Sequence, residues 1–535
     1  MRRLAVVVLA IAACVPVRLA TSATSAQPGF AYGVAAGEIT STSAILWTRA
    51  PSAGPVTLVV WKPAPHTVKG MSFTATARAG DDFTVRVPVR GLRPATKYRF
   101  RFVRGRTLSG PGSFETAPAP NADATIRFAL SGDADATPGP NGKPGFNDFE
   151  VYGRMAAERN DFNVNLGDTI YSDSELAGSK PALTVADKWQ KYKYGLALPN
   201  LRRLRTAAGL YSHWDDHEFI NDFSRAEFGD ALYQAGVKAF TDYAPVTWSA
   251  KNGLYRTFRW GKNLELFFLD ERSFRSAKAS AGGTCNVAGA PDLAPTAPGP
   301  VRAAFAALIP PLAQPVPKAC TDAINSPART FLGARQHAAF VTAIKASTAT
   351  WKVVVNETPI QQFYQLPYDR WEGYAAERTQ LLHDLAGVKN VLFLTTDTHA
   401  NLIGEVRLQT LEAPGPVGTG IWEVVTGPVA TNTYSKEIDA AVGKPGTGDF
   451  VTSLFLKPAP PRGIGMLCAA TDVYSYSEVR VTATTLTVTP KNAAGTMVHE
   501  KTGGPCGPLV LHAQGSDLDL TRLGTPQPKA GQDTS

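Results

Sequence analysis

Apolar and polar residues alternate along short runs between residues 30 and 118, and turn residues separate these runs. The runs are SAILWTRA, VTLVVWKP, DFTVRVPV and TKYRFRFV. Because successive side chains of a strand point to opposite faces, a period of two predicts strands with one buried face. Several such strands in succession predict an all-β sandwich over residues 30–118.

The pattern changes near residue 122, where the apolar runs become continuous. IRFALSGD, FNVNLGD, LELFFLD, WKVVVNE and NVLFLTTD end in acidic or amide residues, and helical patterns such as DFEVYGRMAAE and GARQHAAFVTAIKAS separate several of them. This alternation predicts an α/β domain with buried sheets over residues 122–512. Within it, we expect a surface insertion at the Ala/Pro-rich residues 277–330 and edge strands near YSYSEVRVTATTLTVTP. Residues 513–535 are expected to form a flexible tail.

Length and composition indicate a globular protein of two domains, or of one large domain with an appendage. The chain has 535 residues, of which 44% are hydrophobic and 19% are charged, which excludes a disordered or coiled-coil chain. The formal net charge is +9. However, lysine and arginine are scattered without a long basic run, so we predict no nucleic-acid-binding domain. A monomer is expected.

The first residues, MRRLAVVVLAIAACVPVRLATSATSA, have the pattern of an export signal over residues 1–26. The apolar run is too short for a membrane span, so we expect no transmembrane domain in the mature chain. Cleavage after Ala26 would release an extracellular protein, whereas IAAC resembles a bacterial lipobox that would lipidate Cys14 in the cell envelope. The pair Arg2 and Arg3 hints at twin-arginine export, although the residues that follow match that motif poorly.

The four remaining cysteines indicate disulfide bonds, because an exported protein meets an oxidising environment. Their proximity in sequence favours the pairs Cys285–Cys320 and Cys468–Cys506. Metal ligation by these cysteines is the weaker alternative, since none belongs to a CxxC motif.

Acidic and imidazole side chains crowd the stretch SHWDDHEFIND, residues 212–222. Such groups repel or desolvate one another unless a cation neutralises them. The alternative is a helix start with acidic residues in its first turn. Further polar residues follow the apolar runs, where α/β sheets place their ligands. Together with the acidic run itself, these positions give the candidate metal ligands Asp133, Asp135, Asp168, Tyr171, Asp397 and His399.

These residue types suit one chemistry. Hard oxygen ligands with occasional imidazoles favour a multinuclear divalent or ferric centre that polarises phosphoryl oxygens and activates water. Asp168 is a candidate bridge between two ions, and Tyr171 is either a phenolate ligand of ferric iron or a packed aromatic. Arg272 and Arg275 are candidates for binding substrate phosphate. Alternatively, Arg272 pairs structurally with Asp270.

The blocks LGDTIY, SHWDDHEFIND, FFLDERSFR, TFLGARQHAAF, VVVNETP and TTDTHA occur in this order. With the preceding sandwich, they resemble the PhoD-type alkaline phosphatases within the calcineurin-like metallophosphoesterases. The resemblance implies a four-layer α/β/β/α core, exported phosphomonoesterase or phosphodiesterase activity and an iron-plus-calcium site. GLRPATKYRF, with Tyr98, similarly resembles the tyrosine corner of a fibronectin type III-like domain.

By family match, Asp168, Asn221, Asp397 and His399 are the first metal ligands, followed by the Asp215–His217 cluster. Within that cluster, Asp216 and His217 are candidates for orienting a ligand or protonating the leaving oxygen, and Arg272 completes the predicted catalytic set.

One departure from the family concerns the metal. Relatives with iron carry Ser-Cys where this chain has Ser131-Gly132-Asp133, so the thiolate is missing. This favours calcium, or else manganese or magnesium, over iron. A phosphodiesterase acting on phospholipid, teichoic-type or nucleotide diesters is the alternative enzyme. A calcium-binding adhesion protein is the alternative outside enzymes.

Overall fold

The N-terminal part of the chain forms two antiparallel sheets in the computed structural model, which describes residues 29–63 and 70–513. The first sheet has the order β1-β2-β5, and the second has the order β4-β3-β6-β7 with β8 paired to β6. The strands are β1 (Val34–Gly37), β2 (Ser43–Arg49), β3 (Gly54–Trp61), β4 (Met71–Ala77), β5 (Thr84–Arg90), β6 (Lys97–Arg104), β7 (Thr107–Leu108) and β8 (Gly112–Glu115).

Both N-terminal sheets contribute apolar side chains to one core. Leu46 and Val87 come from the first sheet, and Leu58 and Phe100 come from the second. The Tyr98 hydroxyl accepts a hydrogen bond from the backbone N–H of Arg93 at 3.0 Å, which ties β6 to the preceding turn.

The rest of the described chain contains two larger sheets and a short hairpin. Their strands are β9 (Ile126–Ser131), β10 (Phe162–Asn165), β11 (Gly209–Ser212), β12 (Arg256–Trp260), β13 (Leu264–Phe268), β14 (Asn286–Val287), β15 (Ala290–Pro291), β16 (Trp351–Val355), β17 (Val391–Thr395), β18 (Asn401–Gln409), β19 (Val417–Val425), β20 (Cys468–Ala470), β21 (Ser475–Val481), β22 (Thr485–Asn492) and β23 (Leu509–His512). The helices are α1 (Glu150–Ala157), α2 (Val185–Ala197), α3 (Pro199–Ala207), α4 (Arg225–Tyr243), α5 (Gly299–Ala306), α6 (Lys318–Ile324), α7 (Ala334–Ala346), α8 (Ala375–Asp384), α9 (Tyr434–Val442) and α10 (Thr447–Val451).

Each larger sheet has a parallel centre. The six-stranded sheet has the order β11-β10-β9-β21-β22-β23, in which β9, β10 and β11 are parallel. The seven-stranded sheet has the order β12-β13-β16-β17-β19-β18-β20, in which β13, β16, β17 and β19 are parallel. These mixed sheets with helices agree with the predicted metallophosphoesterase-like fold.

Alternate residues of the central strands enter different cores, and this builds the layers. Leu130 of β9 and Val355 of β16 belong to the core between the two sheets. Ala129 instead packs with α1 and α3, and Val354 packs with α7 and α8. Because side chains alternate across a strand, each central strand is buried on both faces, which explains its continuous apolar sequence.

All the apolar runs quoted above are strands, but the predicted edge position of the last ones is wrong. β21 pairs with β9 on one side and β22 on the other, and β22 pairs with β23, which is the edge strand. The sequence period reports which face of a strand is buried and carries no information about which strands lie beside it.

Both predicted disulfides, Cys285–Cys320 and Cys468–Cys506, are present. The predicted signal, including Cys14, and the tail after Ala513 lie outside the described residues. Within residues 29–63 and 70–513, no helix combines the length and apolar character that crossing a bilayer requires.

Candidate metal centre

Three parallel strands end in register and deliver candidate ligands to one edge of the six-stranded sheet. Ser131 of β9, Asn165 of β10 and Ser212 of β11 are paired across the sheet. The chain then leads to Asp133, to Asp168 and to the SHWDDHEFIND loop respectively. Because the three strands are parallel, these segments emerge side by side at the carboxyl edge.

The second sheet reaches the same place through the turn after β17. The Thr396 hydroxyl donates to Asp133 Oδ2 at 2.6 Å, which joins the ends of β9 and β17. Asp133, Asp168, Asp397 and His399 have φ values of 61°, 49°, 65° and 53°. These are left-handed conformations that non-glycine residues adopt at a cost, and such conformations concentrate at functional sites.

Asp133, Asp168 and His399 form one group of potential metal ligands, with one ligand atom of each within 4.8 Å of the others. The Tyr171 hydroxyl lies 3.0 Å from His399 Nε2. On the other side of the ring, His399 Nδ1 lies 2.8 Å from a carboxylate oxygen of Glu437 in α9. A carboxylate on the outer ring nitrogen fixes the orientation of a ligating histidine.

Asp168 also belongs to a second group, with Asp216 and His217. The His217 ring stacks on Tyr171 at 4.0 Å between centroids, and its Nδ1 lies 2.6 Å from Asp173 Oδ1. Asp168 is therefore shared between two ligand groups.

The SHWDDHEFIND stretch is the loop between β11 and α4, and its aromatic residues anchor it. Trp214 and Phe219 pack in a buried apolar cluster with residues of α4. Glu218 is buried, and its carboxylate accepts the N–H groups of Asp215 at 2.8 Å and Thr169 at 2.6 Å. The apolar residues thus hold the loop while its acidic residues face the centre. The alternative of a helix start does not describe this run, because α4 begins at Arg225, after the run has ended.

Two further acidic groups extend the centre. Asp215, Asp216 and Asp397 form one, and Asp216, Asp222 and Asp369 form the other. Asp215 Oδ2 and Asp216 Oδ1 are buried without a hydrogen-bond partner among the described residues. Unpaired buried carboxylate oxygens are costly, and a bound cation would satisfy them. The donor set therefore fits a metal.

The electrostatics also fit a metal. Burial raises the pKa of Asp168 and Asp215 well above their usual range, and repulsion from Asp216 adds to this effect. Burial, followed by Asp216 and Asp369, raises the pKa of Asp397 to about 7. Protons would thus occupy part of this cluster at neutral pH, and a cation would replace them.

The same negative charges also raise the pKa values of the two histidines. Burial lowers the pKa of His399, but Glu437 and the nearby aspartates outweigh burial and raise that pKa to about 10. For His217, Asp216, Asp168 and the hydrogen bond to Asp173 likewise outweigh burial and raise its pKa.

The ligand groups line a cleft of about 490 Å³. Asp168, Asp216, His217, Asp397 and His399 line it, together with Tyr171. Leu366, Arg370, Tyr434 and Ile438 also line it, from the loop before α8 and from α9.

Four predicted site residues, Asp135, Tyr171, Asn221 and Arg272, lie outside these groups of acidic and histidine side chains. Asp135 belongs to none of the groups, and its Oδ1 accepts the N–H of Thr137 at 2.8 Å. Asn221 lines the cleft but is exposed, and its backbone N–H donates to Asp173 Oδ2 at 2.7 Å. Arg272 is completely buried below the cleft.

The Arg272 side chain pairs with two carboxylates. Nε donates to Asp215 Oδ1 at 2.6 Å and Nη1 to Asp369 Oδ2 at 2.7 Å. From Arg272, the alternative partner Asp270 accepts the backbone N–H at 3.1 Å and no side-chain hydrogen bond. The guanidinium therefore neutralises acidic residues of the centre.

Sequence reasoning missed Asp173, Asp369 and Glu437, which hold His217, Arg272 and His399. Asp173 lies two residues after the LGDTIY block, and this proximity to a candidate ligand segment was a signal that could have identified it. Asp369 and Glu437 come from a loop and a helix whose sequences carry no strand-end signal.

Comparison with known proteins is consistent with this geometry. Residues 138–453 match the PhoD-like phosphatases, and residues 15–118 match the N-terminal domain of the PhoD-like phosphatases. Alkaline phosphatase D of Bacillus subtilis (strain 168) is 26% identical over 419 residues, which span 70% of this chain and 64% of that relative. The present chain thus aligns with less than two thirds of that relative's length.

Two solved structures share the fold. A structure of PhoD superposes with a TM-score of 0.71 at 21% identity and covers 94% of both chains. A purple acid phosphatase from yellow lupin (Lupinus luteus) seeds has a TM-score of 0.54 at 11% identity, covering 88% of this chain and 74% of its own. Because the matched residues 138–453 make up more than half of the chain, it belongs to the PhoD-like phosphatase family of phosphoester hydrolases.

Proposed function

We propose that this chain is an exported alkaline phosphatase that hydrolyses phosphomonoesters at a multinuclear metal centre. The observation that carries the proposal is the position of Asp168, which two ligand groups share at the floor of an open cleft. A carboxylate has two oxygens and can serve two ions at once, which suits an arrangement that holds both the attacking and the leaving oxygen of a phosphoryl transfer.

Asp133, Asp168 and His399 would hold one ion, and Asp168, Asp216 and Asp397 or His217 would contribute to the other. When bound, such ions polarise phosphoryl oxygens and lower the pKa of a bound water. The Tyr171 hydroxyl lies 3.0 Å from His399 Nε2, the ring nitrogen that would bind this ion, so the phenolic oxygen would be a further ligand of the first set.

We further propose that the ions are divalent, with calcium first and manganese or magnesium as alternatives. The ligand groups around Asp168 contain carboxylates and imidazoles and no thiolate. A Cβ placed on Gly132 would lie 2.8 Å from Thr396 Oγ1, so a cysteine there would require Thr396 to move. Thr396 instead donates to Asp133. Carboxylate oxygens suit calcium, magnesium and manganese, and the thiolate that accompanies iron in the relatives is missing from these groups.

His217 is proposed to donate the proton to the leaving oxygen. Asp173 holds Nδ1, and the ring lies flat against Tyr171, so Nε2 is the ring nitrogen available to the cleft. Positioned proton donors of this kind contribute about 100- to 10,000-fold to rate. The ring also belongs to a ligand group, so its role is tested below with leaving groups of different strength.

Phosphodiester hydrolysis is the second candidate. The cleft of about 490 Å³ extends past the ligand groups to an apolar wall with Leu366 and Ile438, which leaves space for a second ester group.

Two further proposals concern the N-terminal part and the location. The shared core of the N-terminal sheets and the hydrogen bond of Tyr98 support a fibronectin type III-like sandwich. The disulfides Cys285–Cys320 and Cys468–Cys506 support export, since such bonds persist in oxidising compartments.

The test is metal removal and reconstitution of the full chain. Chelated protein should lose hydrolysis of p-nitrophenyl phosphate, and calcium, manganese, magnesium and ferric iron should be compared for its recovery. A higher kcat/KM for bis(p-nitrophenyl) phosphate would establish the diesterase instead. Calcium binding without hydrolysis of either ester would refute the phosphatase and favour the adhesion protein.

A further inference from the structure

Part of the cleft lining beside the ligand groups is built from two segments that contact each other. Residues 362–374 supply Leu366 and Arg370, and α9 supplies Tyr434 and Ile438. The Tyr434 hydroxyl donates to the Gln365 side chain at 3.2 Å. This contact fixes the loop next to the helix that also carries Glu437, the partner of His399.

Arg370 is the one lysine or arginine among the described residues that line this cleft. Its Nη2 donates to the carbonyl oxygen of Gln365 and, at 3.0 Å, to that of Leu366. Its guanidinium carbon lies 5.3 Å from the centre of the Phe363 ring. These uncharged contacts orient the side chain and leave its charge available.

The neighbouring arginines differ from Arg370 in their partners. Arg272 pairs with Asp215 and Asp369, and Arg275 Nη1 lies 2.9 Å from Asp369 Oδ1. Within residues 29–63 and 70–513, no carboxylate lies within ion-pairing distance of Arg370. Arg272 and Arg275, the candidates that the sequence predicts for binding phosphate, are thus already paired with carboxylates.

We propose that Arg370 binds the non-bridging oxygens of the substrate's phosphoryl group in the cleft that the ligand groups also line. The inference rests on the proposed function and adds the substrate-binding cation. A guanidinium presents several N–H donors in a planar fork that matches phosphate oxygens. Two carbonyl groups fix one end of this fork, so the remaining donors are oriented before the substrate arrives.

The experiment compares Arg370→Met and Arg370→Lys in the full, metal-loaded chain. Removing a charged hydrogen-bonding partner should raise KM for p-nitrophenyl phosphate and the inhibition constant of inorganic phosphate by about 10- to 100-fold. Arg370→Lys should recover part of this loss because it keeps the charge without the fork. Metal content should stay at the wild-type value in both variants, because Arg370 is proposed to contact substrate and not the ions.

Arg335→Met is the matched control, since it removes an exposed arginine of α7 outside this cleft. Wild-type phosphate inhibition in Arg370→Met would overturn the inference. Equal losses of phosphate affinity in Arg370→Lys and Arg370→Met, together with a loss of bound metal, would also overturn it. Arg370 would then be a residue that supports the loop.

Failure of the proposed function would look different, because the wild type would then hydrolyse neither ester. In that case, phosphate binding to the metal-loaded wild type and to Arg370→Met, measured by calorimetry, decides the inference. Equal affinity of the two proteins, or no binding to either, would overturn it.

Discussion

Replacing Arg272 by methionine should destabilise the fold more than any change on the cleft surface. The side chain is completely buried and holds Asp215 at 2.6 Å and Asp369 at 2.7 Å. Methionine fills much of the same volume, so the loss is mainly electrostatic. Asp369 keeps Arg275 as a partner, whereas the side chain of Asp215 loses its ion-pair partner.

The magnitude follows from the charge left behind. Removing one partner of a buried ion pair costs about 3–5 kcal/mol. Burial already raises the pKa of Asp215, and Arg272 opposes that rise, so Asp215 will take up a proton in the variant. Because protonation relieves part of the uncompensated charge, we expect about 3 kcal/mol.

Urea unfolding of chelated protein measures this loss without a contribution from bound metal. Arg370→Met and Arg335→Met are the controls, and both should stay within about 1 kcal/mol of the wild type, as expected of changes outside buried networks. An Arg272→Met protein of wild-type stability that has lost only phosphate affinity would refute the structural role. It would return Arg272 to substrate binding.

Two further predictions concern histidines. His217→Ala should reduce turnover most on esters with poor leaving groups, and an equal loss on p-nitrophenyl and alkyl phosphates would contradict proton donation. His337 of α7 lies 3.1 Å from Glu377 and 3.0 Å from Asp384, both in α8, and the Glu377 hydrogen bond leads the causes that raise its pKa above 6.5. A histidine whose pKa is higher in the folded than in the unfolded state stabilises the fold. This stabilisation is fully present below pH 6.5 and is lost as the pH rises through the folded-state pKa. His337→Gln should therefore lower Tm more at pH 6 than at pH 10. An exposed-site control, His383→Gln, should show no such difference, and a pH-independent loss in His337→Gln would contradict the ion pairs.

The sequence predicted strands better than it predicted their neighbours. Continuous apolar runs such as WKVVVNE report burial on both faces, and the structure confirms this for β16. Strand order has no comparable local signal. The sequence of β21 alternates as in a strand with one buried face, yet β21 lies inside its sheet. Its pairing with β9 joins residues some 350 positions apart, such as Leu130 and Ser477, and no local pattern reports such a pairing.

The candidate site shows the same division. Asp133, Asp168 and His399 follow strands whose ends meet, so position in the chain predicted their convergence. Asp135 is only two residues from Asp133, but it belongs to none of the ligand groups and its carboxylate accepts a local hydrogen bond from Thr137. Glu437 belongs to a helix whose position beside His399 depends on tertiary packing.

Asp168 is the residue on which both ligand groups depend, so the Asp168→Asn protein tests the metal centre most directly. Metal content and phosphatase activity should be measured on the same samples of wild type and variant, with circular dichroism as the control for folding. Wild type should bind at least two ions per chain. Asp168→Asn should keep the fold but lose both hydrolysis and at least one ion, since an amide removes the charge and one of the two ligating oxygens. Full metal content and full activity in a folded Asp168→Asn protein would contradict the shared-carboxylate centre.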